Sequence, residues 1–472
     1  MTRRFLTFLI LAVSACTAQN PPAGPFLAKP YLQLGDAPKM SARESVEVLW
    51  QTEDRDQAWS AEARVVGQTR WRKAEASVLR RVRVKGFEPH RVYRAALTGL
   101  APSAEFEYRV LLEGTPVFES KARARRAEGQ PHTFAVMGDM SQDSEGQRGV
   151  AYQTVLGKPE YTVAVGDIVY SRGLVHEYHK KFYPVYNADA PDPKIGGPLL
   201  RSTITLGILG NHDASPKIDL GSHPDALAYF YYWSQPMNGP VALGATNQPE
   251  LKGDPEQLAE FHRTAPSYPR MAMYSFDYGD VHWTMLDSNP YVDWTDPALR
   301  NWVRNDIKSS KKIWKFVTLH HPPFQSSKAH FNDQWMRLLS DVFEEEKVDV
   351  VFSGHVHNYQ RSYPIRFKVD PLDAAERPMK KGKIGGEITA DKSYDGATNT
   401  KPSGVIWIVT GAGGAGLYDK DQELNKASWQ QFTAKFFSNI HSVSLVDISP
   451  SKMTLRQIAA DGRELDRWTV TK

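Results

Sequence analysis

Thr162-Val163-Ala164-Val165-Gly166-Asp167-Ile168-Val169-Tyr170 is an apolar run that stops abruptly at a glycine and a carboxylate. A short continuous apolar run bounded by a turn signal reads as a buried strand of a parallel sheet. Such a sheet presents polar side chains at the carboxyl ends of its strands, where α/β proteins bind ligands. The same figure recurs on both sides. Phe134 to Met137 runs into Gly138-Asp139, Ile204 to Leu209 into Gly210-Asn211-His212, Trp314 to Leu319 into His320, and Val348 to Phe352 leads to Gly354-His355-Val356-His357. Amphipathic stretches from Pro297 to Ser309 and from Asn332 to Lys347 read as intervening helices. Residues 127–472 are therefore expected to form a layered α/β domain of αββα type.

The preceding stretch has a different rhythm. Val46, Val48 and Trp50 alternate with Glu47 and Leu49, and Val82 and Val84 alternate with Arg81, Arg83 and Lys85. A period of two predicts strands with one face buried. Leu100-Ala101-Pro102-Ser103-Ala104-Glu105-Phe106-Glu107-Tyr108 resembles the tyrosine corner of fibronectin type III-like sandwiches. Residues 28–126 are accordingly expected to be a β-sandwich, which makes the fold class α/β with an N-terminal β domain. From Ala61 to Arg126 there are 15 Lys/Arg against 7 Asp/Glu, either a solvated face or a surface that attracts anions. No interleaving of basic and aromatic residues suggests nucleic acid as a partner.

With 472 residues and a net charge of only +4, the chain is long enough for more than one folding unit, and its overall charge names no partner. Arg3 and Arg4 precede an apolar run from Phe5 to Val13, too short to span a bilayer. This run closes on Val13-Ser14-Ala15-Cys16, which resembles a bacterial lipobox. Residues 1–15 read as a signal peptide, Cys16 as the lipidation site, and 16–27, rich in Pro and Gly, as a tether. Cys16 is the only cysteine, so no disulfide within the chain is possible. The chain is expected to be exported and held by a lipid anchor at the outer membrane or cell surface, or otherwise to be periplasmic. Residues 214–270, with the aromatic Tyr229-Phe230-Tyr231-Tyr232-Trp233 and a helix from Pro255 to Arg263, and residues 367–402 read as insertions.

A lone Gly-Asp is usually a turn, and a lone histidine near a strand is usually structural. Here five strand ends converge on one chemistry: Asp139; Asp167 with Tyr170; Asn211 with His212; His320; and His355 with His357. Carboxylate, imidazole, phenolate and amide donors without a thiolate suit iron, zinc or manganese. In a two-metal site, ions about 3.5–4 Å apart hold both the attacking and the leaving oxygen of a phosphoryl group.

These five blocks, in this order and behind a β-sandwich, resemble purple acid phosphatases, members of the calcineurin-like metallophosphoesterases. The resemblance implies a hydrolase that cleaves small phosphate monoesters by attack of a metal-bound hydroxide. It implies that Asp167 bridges two ions. Asp139, Tyr170 and His357 would complete a ferric site, and Asn211, His320 and His355 a divalent zinc, manganese or iron site. His212 would contact the phosphate, as would His330, ten residues after His320. Asp213 would orient His212. Ser141 stands where the broader superfamily carries a histidine, and Asn358 and Gln360 depart from the usual residues beside the last block. Two rival readings remain. One is a phosphodiesterase or nucleotidase in which Tyr229 to Trp233 stack a base; the other is a non-catalytic surface binding protein. The sequence leaves the oligomeric state open.

Overall fold

The computed structural model describes residues 24–240, 247–371 and 382–472. The stretch expected to be a signal peptide, Cys16 and most of the expected tether lie outside the described residues. Seven antiparallel strands open the described chain: β1 Ala28–Gln33, β2 Glu44–Glu53, β3 Trp59–Val65, β4 Arg72–Val82, β5 His90–Leu100, β6 Glu105–Leu112 and β7 Thr115–Arg123. Their order is β1-β2-β5-β4-β3-β6-β7. The long β4 changes partner midway: Arg72 to Glu75 pair with β3, while Ala76 to Val82 pair with β5. One strand thus joins two sheets across a core in which Trp50 stacks on Tyr93 with ring centres 5.6 Å apart, and Trp59 packs on both.

Leu49, read from its alternation as belonging to an outward face, is fully buried. The outer face of β1, β2 and β5 is not solvated. Tyr31, Leu49, Val82 and Val92 pack in one apolar cluster with Tyr178, Tyr183 and Tyr232 of the following domain. The tyrosine-corner expectation fails for the same reason. The Tyr108 hydroxyl donates to the Arg201 carbonyl at 2.7 Å, across the boundary, instead of to a backbone carbonyl of its own domain. Arg125 acts likewise. It is buried against Glu44 and donates to the carbonyls of Ala37, Lys39 and Asp277, bolting the sandwich to the rest of the chain. Much of the basic excess is neutralised locally, as in Arg81 and Arg91 on Asp54, Arg64 on Glu107 and Arg109 on Glu62.

The second domain consists of two stacked sheets. One contains, in order, Ile204–Gly207, β9 (Tyr161–Ala164), β8 (His132–Met137), Ser442–Ser449, Lys452–Ala459 and Glu464–Thr471. The other runs Tyr274–Tyr278, Val281–Met285, Trp314–Thr318, Val350–Ser353, Ile406–Thr410, Tyr359–Ser362 and Thr433–Phe437. Between them Phe134 meets Trp283 and Phe316 at 5.4 and 5.7 Å, with Tyr161, Phe276 and Phe352 around them. This aromatic layer explains why the strands read as unbroken apolar runs: both faces of each are covered. The helices Glu145–Leu156 and Pro297–Ser309 pack on the respective outer faces. Strands 132–137, 161–164 and 204–207 of one sheet are mutually parallel, as are 281–285, 314–318, 350–353 and 406–410 of the other, and the ends of both sets meet at one rim.

Three local expectations are corrected. Asn332 to Lys347 is not one helix: a 3-10 turn at Trp335–Leu339 precedes a short helix at Ser340–Glu345. The insertion at 367–402 begins with a hairpin, Ile365–Val369 against Gly386–Ala390. Tyr229 to Trp233 offers no surface for stacking a base, because all five side chains are buried. Tyr229 donates to the Gly207 and Met271 carbonyls, and Trp233 to the Tyr178 hydroxyl. Among the described residues no helix is long and apolar enough to cross a membrane.

Candidate metal centre

The rim gathers every residue singled out at the strand ends. Asp139, Asp167 and His355 have positive φ angles of 56°, 50° and 65°. Such backbone is strained for residues other than glycine and turns each side chain sharply out of its strand. Two glycines at these strand ends, Gly210 before Asn211 and Gly354 before His355, serve close approach. A Cβ on Gly210 would lie 2.1 Å from the Asp167 carboxylate, and one on Gly354 would lie 2.6 Å from that of Asp139. His355 and His357 sit in a turn after strand Val350–Ser353, and the His355 N–H donates to Asp139 Oδ2 at 2.8 Å.

The hydrogen-bond pattern fixes where the protons are. A carbonyl only accepts, so His357, 2.7 Å from the Gly416 carbonyl, carries its proton on Nδ1; His320, 2.9 Å from the Val165 carbonyl, does the same. Their Nε2 lone pairs then point inward. His357 Nε2 lies 3.3 Å from Asp139 Oδ1, and both surround the Tyr170 hydroxyl, which is also 3.0 Å from Asp167 Oδ2. Three acceptors face one hydroxyl proton. On the other side His320 Nε2 lies 3.3 Å from Asp167 Oδ1 and 3.1 Å from Asn211 Oδ1, again acceptor facing acceptor. Donors converging this way can be held together only by protons taken up between them or by cations.

The electrostatics agree. Burial, followed by the Asp139 and Asp167 charges, pushes the Tyr170 phenol well above its ordinary value. Burial works against the charged form of His320, yet the nearby Asp167 and Asp139 carry it up to about 9. The chain takes up protons here in place of missing positive charge. Two groups of metal-ligating atoms share Asp167: one with His320 and His355, the other with Asp139 and His357. Residues present and charge required therefore fit a pair of metal ions.

His212 stands at the mouth, partly exposed. Its Nδ1 lies 2.8 Å from the Ser171 carbonyl, and Nε2 is 4.0 Å from Asp167 Oδ2. Asp213 does not orient it. That carboxylate is buried and accepts from the backbone N–H groups of Ile168 and Gly210, bracing two ligand turns. Asn358 and Gln360 likewise touch no strand-end donor; they bond to each other and to Ser326 and Ser327. His330 does come to the rim, its ring 4.0 Å from that of His355. Sequence reading missed what supports these residues. Asp333 lies 3.2 Å from His355 Nε2 and 3.3 Å from His330 Nδ1, Tyr418 stacks on His357 at 4.0 Å, and the Ser288 hydroxyl accepts the His320 and His321 N–H groups. None belongs to a strand-end motif, so no local signal marked them.

Residues 130–359 match the family model described as calcineurin-like phosphoesterase. The matched stretch, just under half of the chain, is similar to that family. All seven strand-end donors fall within it. Purple acid phosphatases are among its homologues, and this family implies a dinuclear metal centre. Purple acid phosphatase 23 of Arabidopsis thaliana is 24% identical over 309 residues, 59% of this chain and 60% of that protein. The chain thus spans about three fifths of that relative's length. Purple acid phosphatase PPD1 from yellow lupin seeds superposes with a TM-score of 0.67 at 16% identity, over 95% of this chain and 74% of that one. PhoD superposes at 0.56 with 14% identity, over 96% and 94%. At these identities the two structures attest the phosphoesterase fold, sandwich included.

Proposed function

We propose that the protein is a hydrolase of small phosphate monoesters that works with two metal ions. The single observation that carries this is the convergence of two groups of metal-ligating atoms on Asp167. Asp139, Asp167, Tyr170 and His357 would hold a ferric ion; Asp167, Asn211, His320 and His355 would hold a divalent zinc, manganese or iron ion. When bound, such a pair supplies Lewis acidity toward the phosphoryl oxygens and a hydroxide nucleophile at neutral pH.

The chain's own residues do the rest. The Ser171 carbonyl holds the proton of His212 on Nδ1 and leaves Nε2 facing the rim, where it contacts a phosphoryl oxygen and, when protonated, gives its proton to the departing alcohol. His330, braced by Asp333, faces the same opening from the opposite loop as a second phosphate contact. Val165 and Gly416 keep His320 and His357 in the tautomer that presents Nε2 inward. The diesterase or nucleotidase alternative has lost its aromatic platform, since Tyr229 to Trp233 are buried.

Metal analysis of iron- and zinc-reconstituted protein, with relative rates on a phosphomonoester, a phosphodiester and a nucleotide, tests the reading. Two ions per chain and fastest turnover of the monoester are expected. Inactivity on all three after reconstitution overturns it in favour of a binding protein. Export and lipid anchoring at Cys16 are a separate proposal supported by the lipobox-like sequence. Detergent partitioning of wild type that is lost in Cys16→Ala is expected, and a wholly soluble wild type overturns it.

A further inference from the structure

Outward from Asn211 and His212 the rim continues into a cleft of about 80 Å³ that neither the sheets nor the strand-end donors account for. Its remaining lining includes Ser171, Arg172, Lys217, Asp219 and His223. Most of these come from the insertion at 214–270. A short parallel pairing sets Lys217 opposite Glu250 and Asp219 opposite Lys252. Arg172 comes from the turn that also carries the Ser171 carbonyl. That turn is pressed so closely onto the His212 loop that a Cβ on Gly173 would lie 2.7 Å from the Asp213 carbonyl. The cleft is therefore fixed relative to His212.

Beside His212, its lining sets three basic side chains against one carboxylate. Arg172 is exposed, and its backbone N–H donates to Glu177, but its guanidinium has no partner among the described residues. The His223 backbone N–H donates to the Asp219 carbonyl, and its ring interacts electrostatically with the Asp219 carboxylate. Lys217 meets Glu250 only at 3.9 Å with both side chains well exposed, a pair worth little in water. The one carboxylate in the lining is already engaged: Asp219 accepts from the Gly221 N–H at 2.9 Å, the Ser222 N–H at 3.3 Å and the Ser222 hydroxyl at 2.8 Å. The Ser215 hydroxyl donates to the Lys217 carbonyl and so is spent as well. Arg172 and Lys217 thus line the cleft beside the proposed phosphate contact without a close ion pair of their own, while His223 is answered by Asp219. Arginine in particular presents a planar fork suited to phosphate or carboxylate oxygens.

We infer that this cleft is a second anion subsite, so that the chain prefers phosphoesters carrying a further phosphoryl or carboxylate group on the alcohol side of His212. The inference rests on the reading of His212 as a phosphate contact. Its size admits one such group and little more, which selects for an anion a few bonds from the scissile phosphorus.

The test is a calorimetric titration of the full, metal-loaded chain with orthophosphate, pyrophosphate and phosphoglycolate, with p-nitrophenyl phosphate turnover measured in parallel. At least one two-anion probe should bind about tenfold or more tighter than orthophosphate, the gain typical of one charge-assisted contact. Whichever of the two leads tells whether the second group is phosphoryl or carboxylate. Arg172→Gln combined with Lys217→Gln should reduce that preference about tenfold, and Arg172→Lys should keep part of it. Equal affinity for all three probes in the wild type, or an undiminished preference in the double variant, overturns the subsite. Absent turnover with the preference intact would instead sink the phosphatase reading and leave the subsite standing.

Discussion

The described residues contain two clusters of buried histidines, and they differ in the charge beside them. At the rim, His320, His355 and His357 share their space with Asp139, Asp167 and Asp333. Where the sandwich meets the second domain, His90 and His179 sit edge to face at 5.4 Å, and neither is hydrogen-bonded to a carboxylate. His90 Nε2 meets the Tyr232 hydroxyl at 2.8 Å, and His179 Nε2 meets the Gln51 amide oxygen at 2.6 Å. Burial pushes His90 down to about 4 and His179, with His90 adding to the effect, down to about 3, so both remain neutral packing groups. Burial alone would lower His320 too, but the carboxylates reverse it. Histidine density does not make a metal centre; uncompensated negative charge beside it does.

The contrast breaks most directly at Asp167. Asp167→Ala should lose both ions and nearly all turnover. Partners standing behind ligands already cost about 10–100-fold in metal affinity, and this residue stands between both donor groups. Metal stoichiometry and kcat/KM check it; retention of both ions with more than about a tenth of activity would defeat the assignment. Tyr170→Phe should remove the visible charge-transfer band of the iron-loaded protein while turnover falls less than in Asp167→Ala. A colourless, fully active wild type would withdraw the ferric assignment. Asp333→Asn takes the charge beside both His355 and His330 and should weaken metal binding about 10–100-fold, measured by competition with a chelator.

The other cluster should answer in stability instead. His179→Ala leaves the Gln51 amide oxygen without its partner and should lower stability by about 1–3 kcal/mol, with metal content unchanged. Loss of metal in that variant would erase the contrast. Because His90 and His179 are held below their ordinary value, the unfolded chain binds more protons than the folded one between pH 6.5 and about 4. Stability should therefore fall as pH drops through that window. His282, between Asp277 at 2.7 Å and Asp306 at 3.1 Å, has the opposite sign. Burial lowers it, but the two carboxylates raise it above 6.5 overall, so its contribution is full below that pH and fades as pH rises through the raised value. Thermal melts of His282→Gln against wild type should differ more at pH 5.5 than at pH 9, the smallest effect of the set.

The strand-end donors were legible because each rests on a local rule: an apolar run, a small residue, then a ligand type. Gly210 and Gly354 show why the rule holds, since a side chain there would collide with the donors themselves. What could not be read is what depends on distant contacts. The segment from Asn332 looked helical, yet Asp333 is drawn to His330 and His355 and the Trp335 indole donates to the Ser288 carbonyl, which delays the helix. Leu49 and Tyr108 misled for a similar reason. A period of two reports that a face is buried, not whether the neighbour covering the other face is solvent or a second domain.

The sandwich holds the insertion rather than the rim. Arg80 donates to the Phe230 carbonyl, Tyr31 to the Tyr232 carbonyl, and His90 meets the Tyr232 hydroxyl. Further along, that insertion supplies Lys217 and His223 to the flank of His212. A chimera that grafts the insertion of a relative onto this chain would thus inherit a misfit where Phe230 and Tyr232 meet the sandwich, away from the cleft residues it meant to change. Selectivity in this architecture travels as a matched pair, insertion together with the strands that grip it, and laboratory recombination should cut the gene so that both halves move together.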